Sequence, residues 1–430
     1  MEPKKLGPDA HPLGAEGPIP AITPARSVDG PAHSASVSAP NGARAPQSAS
    51  PSHDPKLGPV YGALDLGTNN CRLLLARPSR RGFRVVDAFS RIIRLGEGLS
   101  EAGKLSDPAM TRTFEALRIC AGKLNRHSVS RARFVATEAC RVAGNGEQFI
   151  ARVRDQLKLD IEILAPEEEA KLAVAGCSSL IEPPAEYVLV FDIGGGSSEI
   201  IWLDLTRAGA WRRGPGGRVD VDQSIAAWTS LPVGVVTLAE RFDGRNVTFE
   251  SFEAMVAHVS DMIQPFENRF GFREKSKGRS LSLLGTSGTV TTIAGILLGL
   301  PRYDRSKVDG SWLNVPDIMA VTQNLLAKTY EERIAEPCIG RERADLVLAG
   351  CAILEAILRM WPAETLRVAD RGLREGILTT LMLEDGVWRS GRRRKRSGRR
   401  DDWQGGPPCA SHLSKVRLKA RARARAKAAL

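Results

Sequence analysis

The sequence predicts an α/β protein built from two related halves that face each other across a cleft. The main observation is a repeated segment, because residues 63–70 read ALDLGTNN and residues 190–199 read VFDIGGGSSE. In each segment an apolar run and an Asp precede Gly and small polar residues, and an apolar run then resumes. This order is typical of a strand, a tight glycine turn and a second strand. Both halves then mix further strands with helices, which indicates α/β architecture.

Each of the two glycine turns, called the first tip and the second tip below, has the composition of an anion-binding nest. Such a turn directs several backbone N–H groups at one spot, and glycine lets the main chain approach a phosphate without a Cβ in the way. One tip alone would be an ordinary Asp-Xaa-Gly turn, whereas two copies predict one shared cleft. The predicted N–H donors are Gly67, Thr68, Asn69 and Asn70 in the first tip and Gly194, Gly195, Gly196, Ser197 and Ser198 in the second.

The remaining elements follow in chain order from apolar periodicity and cap signals. Ser106, before Asp107-Pro108, is a predicted helix N-cap. In the first half we predict strands at 83–89, 134–137 and 160–164 and helices at 107–127, at 145–157 and from 166 onward. In the second half we predict a strand at 281–284 and helices at 234–242, 249–270, 316–328, 341–360 and 372–384. Between them, residues 285–289 (GTSGT) form a predicted turn that opens a helix.

Composition separates a folded core from two tails. Residues 1–58 are rich in Ala, Pro, Ser and Gly, which predicts a disordered extension. Residues 387–430 hold fifteen Lys or Arg against two Asp, so they carry the positive net charge of the chain. We predict this basic tail to be disordered and outside the fold. The core then divides into a predicted first lobe at 59–184 and a predicted second lobe at 185–386.

Cysteine usage and apolar patterning predict a cytoplasmic protein without a membrane partner. The seven cysteines are scattered and form no Cys-x-x-Cys pair, which favours reduced thiols over disulfides or a zinc site. No signal peptide is recognisable, and no window approaches the roughly 18 apolar residues of a membrane span.

Five motifs together resemble the Ppx/GppA family of exopolyphosphatases and guanosine pentaphosphate phosphohydrolases. They are the two tips, PEEEA at 166–170, GTSGT at 285–289 and RGLREG at 371–376. The similarity extends from about Tyr61 to Leu383. It implies the two-lobed, actin-like (ribonuclease H-like) fold of the superfamily that also holds sugar kinases and the large heat-shock chaperones.

The resemblance also implies roles for several acidic residues. Glu169 matches the catalytic glutamate, which would orient and deprotonate the attacking water; composition alone would make it one of three acids at a helix N-terminus. Asp192 and Glu199 match the metal-associated acids and imply bound Mg²⁺. Asp65, the equivalent acid of the first tip, is predicted to order the cleft or a metal-bound water.

Further residues are candidates for binding a polyanion. Arg72 matches a phosphate-associated position of the family, although a solvated hairpin Arg would fit equally well. The resemblance implies that the loop after the 281–284 strand holds further phosphates through Gly285, Ser287, Gly288 and Thr289. Because the core is nearly neutral, it must also concentrate positive charge locally. The other candidate cations are Arg94, Arg141, Lys171 and Arg374.

The resemblance therefore implies a Mg²⁺-dependent hydrolase that removes the terminal phosphate of inorganic polyphosphate, the 5′-phosphate of guanosine pentaphosphate, or both. Two alternatives stay open: a phosphotransferase of the same superfamily, and a non-catalytic regulator that binds polyphosphate or an alarmone. Members of the family often pair, so a homodimer is a further expectation. The basic tail either captures nucleic acid or polyphosphate through counterion release, or is a solvated extension with no specific partner.

Overall fold

The computed structural model describes residues 58–80, 82–207 and 223–388, and the structural statements below concern these ranges. The predictions for residues 1–57 and for the tail from residue 389 onward lie outside the described residues. Among the helices of the described ranges, none is both long enough and apolar enough to cross a bilayer.

The first lobe is built on a five-stranded sheet with the order β3-β2-β1-β4-β5. Its strands are β1 (Tyr61–Leu66), β2 (Asn70–Ser79), β3 (Gly82–Ile92), β4 (Arg131–Ala136) and β5 (Ile161–Ile163). The first three strands form an antiparallel meander, and β4 and β5 run parallel to β1. Its helices are α1 (Leu99–Ala102), α2 (Asp107–Arg126), α3 (Glu138–Val142) and α4 (Gly146–Leu157). Side chains alternate along β1, so Leu64 and Leu66 face the core that α2 and α4 cover, and Tyr61 and Ala63 face the other side.

The second lobe repeats this plan in a six-stranded sheet with the order β10-β11-β9-β6-β7-β8. Its strands are β6 (Tyr187–Ile193), β7 (Ser198–Asp204), β8 (Ile225–Leu231), β9 (Leu281–Thr286), β10 (Trp312–Asn314) and β11 (Thr365–Ala369). Strands β6, β7 and β8 again form an antiparallel meander, and β9 and β11 continue the sheet parallel to β6. The predicted two-lobed α/β fold is confirmed.

The helices agree with most of the predicted ranges. The remaining ones are α5 (Pro166–Cys177), α6 (Val235–Phe242), α7 (Phe249–Phe270), α8 (Phe272–Lys275), α9 (Gly288–Leu297), α10 (Arg305–Val308), α11 (Val315–Ala327), α12 (Tyr330–Ala335), α13 (Val347–Met360) and α14 (Leu373–Glu384). The Ser106 hydroxyl accepts a hydrogen bond from the Ala109 N–H at 3.4 Å, which confirms the N-cap of α2. The helix predicted from residue 341 begins only at Val347, and residues 341–346 before it form turns, in which the Glu342 carbonyl accepts a hydrogen bond from Arg94 of the first lobe.

Two helices carry the chain from one lobe to the other. Helix α5 follows the first sheet, yet its Val174 and Cys177 pack against the second sheet; α14 follows the second sheet, yet its Ile377 packs against the first. The range predicted as the second lobe, 185–386, therefore ends in a helix that covers the first sheet.

Helices α5 and α14 cross at two glycines that contact the partner backbone. A Cβ on Gly176 would lie 1.9 Å from the Gly372 carbonyl oxygen, and one on Gly376 would lie 2.0 Å from the Leu172 carbonyl oxygen. No side chain fits at either position unless the helices move apart. The crossing therefore fixes the N-terminus of α5 relative to that of α14.

Candidate active site

A cleft of about 490 Å³ lies where the two tips meet. Each tip is closed by the same backbone bond, from the Gly67 N–H to the Asn70 carbonyl and from the Gly194 N–H to the Ser197 carbonyl, both at 2.9 Å. The tips touch, since a Cβ on Gly195 would lie 3.0 Å from the Asn69 nitrogen. The predicted donors that line the cleft are Gly67, Thr68, Asn69, Asn70, Gly194, Gly195, Gly196 and Ser197. Their backbone groups can together surround one anion.

Strand register brings the acidic residues into this cleft. Asp192 of β6 lies directly opposite Glu199 of β7 in the antiparallel ladder, so both side chains project from the same face. Asp65 of β1 lies opposite Arg72 of β2 in the equivalent ladder of the first lobe. All four side chains line the cleft. The repeated hairpin therefore places one Asp just before each glycine tip, Asp65 in β1 and Asp192 in β6.

Glu169 reaches the cleft from the first turn of α5, where Pro166 is well suited to begin a helix. Its carboxylate pairs with Arg141 at 3.2 Å, and its side chain is 12% exposed. The two preceding acids point elsewhere, because Glu167 pairs with Lys171 and Glu168 with Arg133. Of the three consecutive acids, Glu169 alone lines the cleft.

The carboxylates of the cleft raise one another's proton affinity. Burial raises the pKa of Asp192 to about 6, and burial together with Asp192 raises the pKa of Glu199 to about 7. Ser197 and Ser230 donate hydrogen bonds of 2.8 Å to Glu199 and oppose that rise. The pKa of Glu169 lies well above its ordinary value, mainly through burial and then through Glu199. Negative charge at this edge of the cleft is therefore only partly compensated by the protein.

This donor set fits a hard cation that binds together with a phosphate. Asp192 and Glu199 supply carboxylate oxygens on one face, and their mutual repulsion would be relieved by a positive charge. Within the described ranges no group of three or more His, Cys, Asp or Glu is close enough to hold a metal ion by itself. Mg²⁺ usually binds one or two carboxylates and completes its coordination shell with waters and substrate phosphates. The pair of Asp192 and Glu199 beside the phosphate cradle matches this preference.

Positive charge enters the cleft through Arg72 and Arg374. Among the described residues, neither guanidinium makes a hydrogen bond or a close ion pair, and both line the cleft. Burial lowers the pKa of Arg374, and neighbouring Arg72 contributes to the lowering. The other predicted cations have protein partners: Arg94 pairs with Asp345, Arg141 with Glu138 and Glu169, and Lys171 with Glu167.

The third glycine turn meets the same cleft at the N-terminus of α9. Ser287, Gly288 and Thr289 line it, together with Thr286, which belongs to the same predicted turn but was not named among its phosphate contacts. Ser287 has a φ of 106°, rare for a residue with a side chain. Its Oγ atom is buried and lacks a hydrogen-bond partner in the described part of the chain, as do the Oδ1 atoms of Asn69 and Asn70. Such unpartnered polar atoms at a cleft fit a missing ligand.

Two predicted phosphate contacts lie outside the cleft. The Ser198 hydroxyl donates to the Val233 carbonyl at 2.7 Å and is buried inside the second lobe. Gly285 lies within β9, where a Cβ would stand 2.7 Å from the Phe191 ring, so this glycine serves close packing. We leave both residues out of the proposed phosphate cradle.

Several cleft residues were missed by the sequence reading. Tyr303 donates to Asp370 at 2.5 Å, and Arg305 pairs with Glu375 at 2.8 Å, which fixes the start of α14. Arg343 also lines the cleft. These residues come from loops and short helices without a recognisable motif. Glu375 differs from the others, because it lies within the RGLREG segment.

Two lobes that repeat one sheet plan, with glycine tips facing a shared cleft, define a protein of the actin-like ATPase class. A profile of the Ppx/GppA phosphatase family matches residues 75–385, and the chain belongs to that family.

Sequence and structure comparisons agree with this assignment. The chain is 27% identical over 341 residues to a guanosine-5′-triphosphate,3′-diphosphate pyrophosphatase of Photobacterium profundum. That match covers 76% of this chain and 60% of the relative, so the chain spans less than two thirds of that protein's length.

Two solved structures are similar along almost their whole length. The Aquifex aeolicus member of the Ppx/GppA family has 28% sequence identity and a TM-score of 0.59, covering 76% of this chain and 98% of its own. An exopolyphosphatase from Cytophaga hutchinsonii has a TM-score of 0.65 and also covers 76% of this chain and 98% of its own. Its sequence identity is 24%, so this similarity concerns the fold alone.

Proposed function

We propose that the protein is a Mg²⁺-dependent phosphoanhydride hydrolase that removes a terminal phosphate from inorganic polyphosphate, from guanosine pentaphosphate, or from both. One observation carries the proposal: the buried carboxylate of Glu169 lines the same cleft as both glycine tips and the Asp192–Glu199 pair. A water-activating base, an anion cradle and a cation site are the parts that phosphoanhydride hydrolysis requires. The names of the similar proteins fit this chemistry.

The proposed reaction assigns a task to each group. The N–H groups of the two tips hold the terminal phosphate, and Arg72 and Arg374 neutralise its charge. Glu169 accepts a hydrogen bond from water and takes its proton as the water oxygen bonds to the terminal phosphorus. The P–O bond to the neighbouring phosphate breaks, and the shortened chain leaves with that bond's electron pair. The raised pKa of Glu169 makes it a better base. Arg141 keeps that carboxylate in one orientation. A cation held by Asp192 and Glu199 would stabilise the charge that develops on the phosphate oxygens.

Polyphosphate and guanosine pentaphosphate present the same reactive end, a terminal phosphate on a phosphoanhydride. The proposal is tested by measuring phosphate release from long-chain polyphosphate and from guanosine pentaphosphate, each with Mg²⁺ and with EDTA. We expect release from at least one substrate and its loss in EDTA.

Two results would contradict the proposal. Conversion of ADP to ATP at the expense of polyphosphate, with little free phosphate, would identify a phosphotransferase. Tight binding of both substrates without any turnover would identify a regulator. The cytoplasmic location and the homodimer stay predictions from the sequence.

A further inference from the structure

The loop at residues 93–98, called the latch loop below, is bonded to the back of the first tip. The Ile93 and Arg94 N–H groups donate to the Asn69 carbonyl at 2.8 and 3.1 Å, and the Gly96 N–H donates to the Thr68 carbonyl at 3.0 Å. Three backbone bonds over four residues make the loop and the tip one unit. A displacement of the latch loop therefore moves the first tip.

The latch loop also holds the second lobe by charged contacts. The Arg94 guanidinium makes two bonds of 2.8 Å to the Asp345 carboxylate and a third, at 3.1 Å, to the Glu342 carbonyl. The Gly98 N–H donates to the Glu240 carboxylate at 2.8 Å. The Arg94 and Asp345 side chains are only 29% and 14% exposed, so water weakens their two-pronged ion pair less than it would at an open surface.

Both partners in the second lobe connect directly to the cleft. Glu240 belongs to α6, whose first N–H groups, those of Val235 and Val236, donate to the Gly194 and Gly195 carbonyls of the second tip at 2.9 and 2.8 Å. Asp345 immediately precedes Leu346, which lines the cleft. The latch loop therefore contacts two parts of the second lobe, namely α6, which supports the second tip, and the turn before α13, whose Leu346 lines the cleft.

The backbone at Arg94 is strained, because its φ of 47° lies in the left-handed region that residues with side chains seldom adopt. Strain of this kind persists where surrounding contacts impose it, and it marks positions with a specific task. Here it aims the guanidinium at Asp345 of the second lobe. The contact between the tips themselves, at Gly195 and Asn69, involves no charge.

We propose that Arg94 and Asp345 form a latch that keeps the two tips together, and that release of this ion pair accompanies opening of the cleft. With the latch closed, the N–H groups of both tips are arranged around one anion. With the latch released, the tips separate and the bound phosphate loses half of its cradle. Arg94 and Asp345 are therefore positioning residues for substrate binding. Only the kinetic part of the following test rests on the proposed hydrolase.

The test compares the parent protein with Arg94→Gln, Asp345→Asn and the double variant. The matched control is Glu253→Gln, which removes a two-pronged ion pair with Arg359, at 2.7 and 2.8 Å, inside the second lobe. Without substrate, we expect the latch variants to show a larger radius of gyration by X-ray scattering and faster amide exchange at residues 67–70 and 194–197. The control should match the parent in both measurements.

In the kinetic part, we expect KM to rise about tenfold, a change of about 1.4 kcal/mol in binding, with kcat changed less than twofold. The double variant should be no worse than the single ones, because both remove one interaction. Unchanged scattering and amide exchange in properly folded variants would overturn the latch even if KM rose. If the protein hydrolyses neither substrate, the scattering and amide-exchange results still show whether the Arg94–Asp345 pair holds the tips together. If Arg94→Gln does not fold, the milder variant Arg94→Lys replaces it in the same measurements. This variant keeps the positive charge and loses the two-pronged geometry of the ion pair.

Discussion

At the scale of single residues, the site is defined by carboxylates that the fold buries without enough positive charge. Asp192 illustrates how burying such a carboxylate lowers the free energy of unfolding. Burial raises its pKa from 3.8 to about 6, so the folded protein holds its proton after the unfolded chain has lost it. Between about pH 4 and pH 6 the free energy of unfolding therefore falls as the pH rises, and above pH 6 the whole contribution is lost. This instability at the site is what a bound cation would offset.

Replacing Asp192 by Asn should therefore stabilise the metal-free protein at pH 8 and have little effect on stability near pH 4. The gain should be at most about 2 kcal/mol, because the side chain still lines an open cleft. Thermal melting in EDTA at both pH values measures it. Added Mg²⁺ should raise the melting temperature of the parent and not that of the variant. A variant that melts lower than the parent at pH 8 would contradict the assignment of an uncompensated carboxylate.

Residue assignments could be predicted from the sequence wherever a short motif determines the position of a side chain. Asp192, Glu199 and Glu169 were assigned through the family resemblance, and hairpin register and the start of α5 explain why these side chains reach the cleft. Arg305 and Tyr303 could not be found in this way, since their place in the cleft depends on how a loop packs against α14. Ser198 was misplaced because its side chain projects from the opposite face to that of Glu199.

At the scale of elements, the crossing of α5 and α14 sets the geometry of the cleft. The start of α5 and the range of α14 were predicted nearly correctly. Their crossing was not predicted, because contacts between distant helices depend on three-dimensional packing. Glu169 and Arg374 occupy the first turns of the two helices. A small shift at the crossing is therefore transmitted to the base and to a phosphate-binding cation together.

We expect Gly376→Ala to destabilise the protein by about 1–3 kcal/mol, because the added methyl group would meet the Leu172 carbonyl and force the helices apart. Urea unfolding measures the change. The matched control is Gly122→Ala in α2, where an added Cβ meets nothing within 4 Å, and helix propensity should stabilise by about 0.5–1 kcal/mol. Equal effects of the two substitutions would show that the crossing is not tightly packed.

The strands that the sequence did not reveal are β8, β10 and β11. Strand β10 has only three residues and β11 only five, and neither carries enough alternation to stand out from its surroundings. They form the edge of the second sheet beyond β9, and β11 leads directly into Asp370 and Arg371. Asp370, a cleft residue that was missed, directly follows β11.

At the scale of the whole molecule, positive charge is concentrated at one end of the chain. Residues 387–430 carry a net +13, whereas residues 1–58 hold five basic and five acidic side chains. The core between them is nearly neutral, although its proposed substrates are polyanions. A basic segment attached to a neutral core can raise the local concentration of a polyanion without touching the chemistry.

Removing residues 389–430 should raise KM for long-chain polyphosphate at low ionic strength and leave kcat unchanged. The difference should shrink as salt is added, since screening weakens long-range attraction. Initial rates at two salt concentrations measure both effects. Removal of residues 1–57, whose charges balance, is the matched control and should leave KM unchanged. An unchanged KM after removal of the basic tail would indicate a solvated extension without a role in capture.

The account of the whole molecule depends most on Glu169, where the first lobe, the crossing helices and the acidic pair of the second lobe meet. The most direct test is phosphate release from long-chain polyphosphate with Mg²⁺, comparing the parent with Glu169→Gln and with Glu168→Gln. We expect kcat to fall by about 10² to 10⁴ in Glu169→Gln, because the amide cannot accept the proton of water. Glu168 faces the surface and pairs with Arg133, so its variant should retain parental activity. Persistent activity in a folded Glu169→Gln protein would place the base elsewhere and contradict the proposed mechanism.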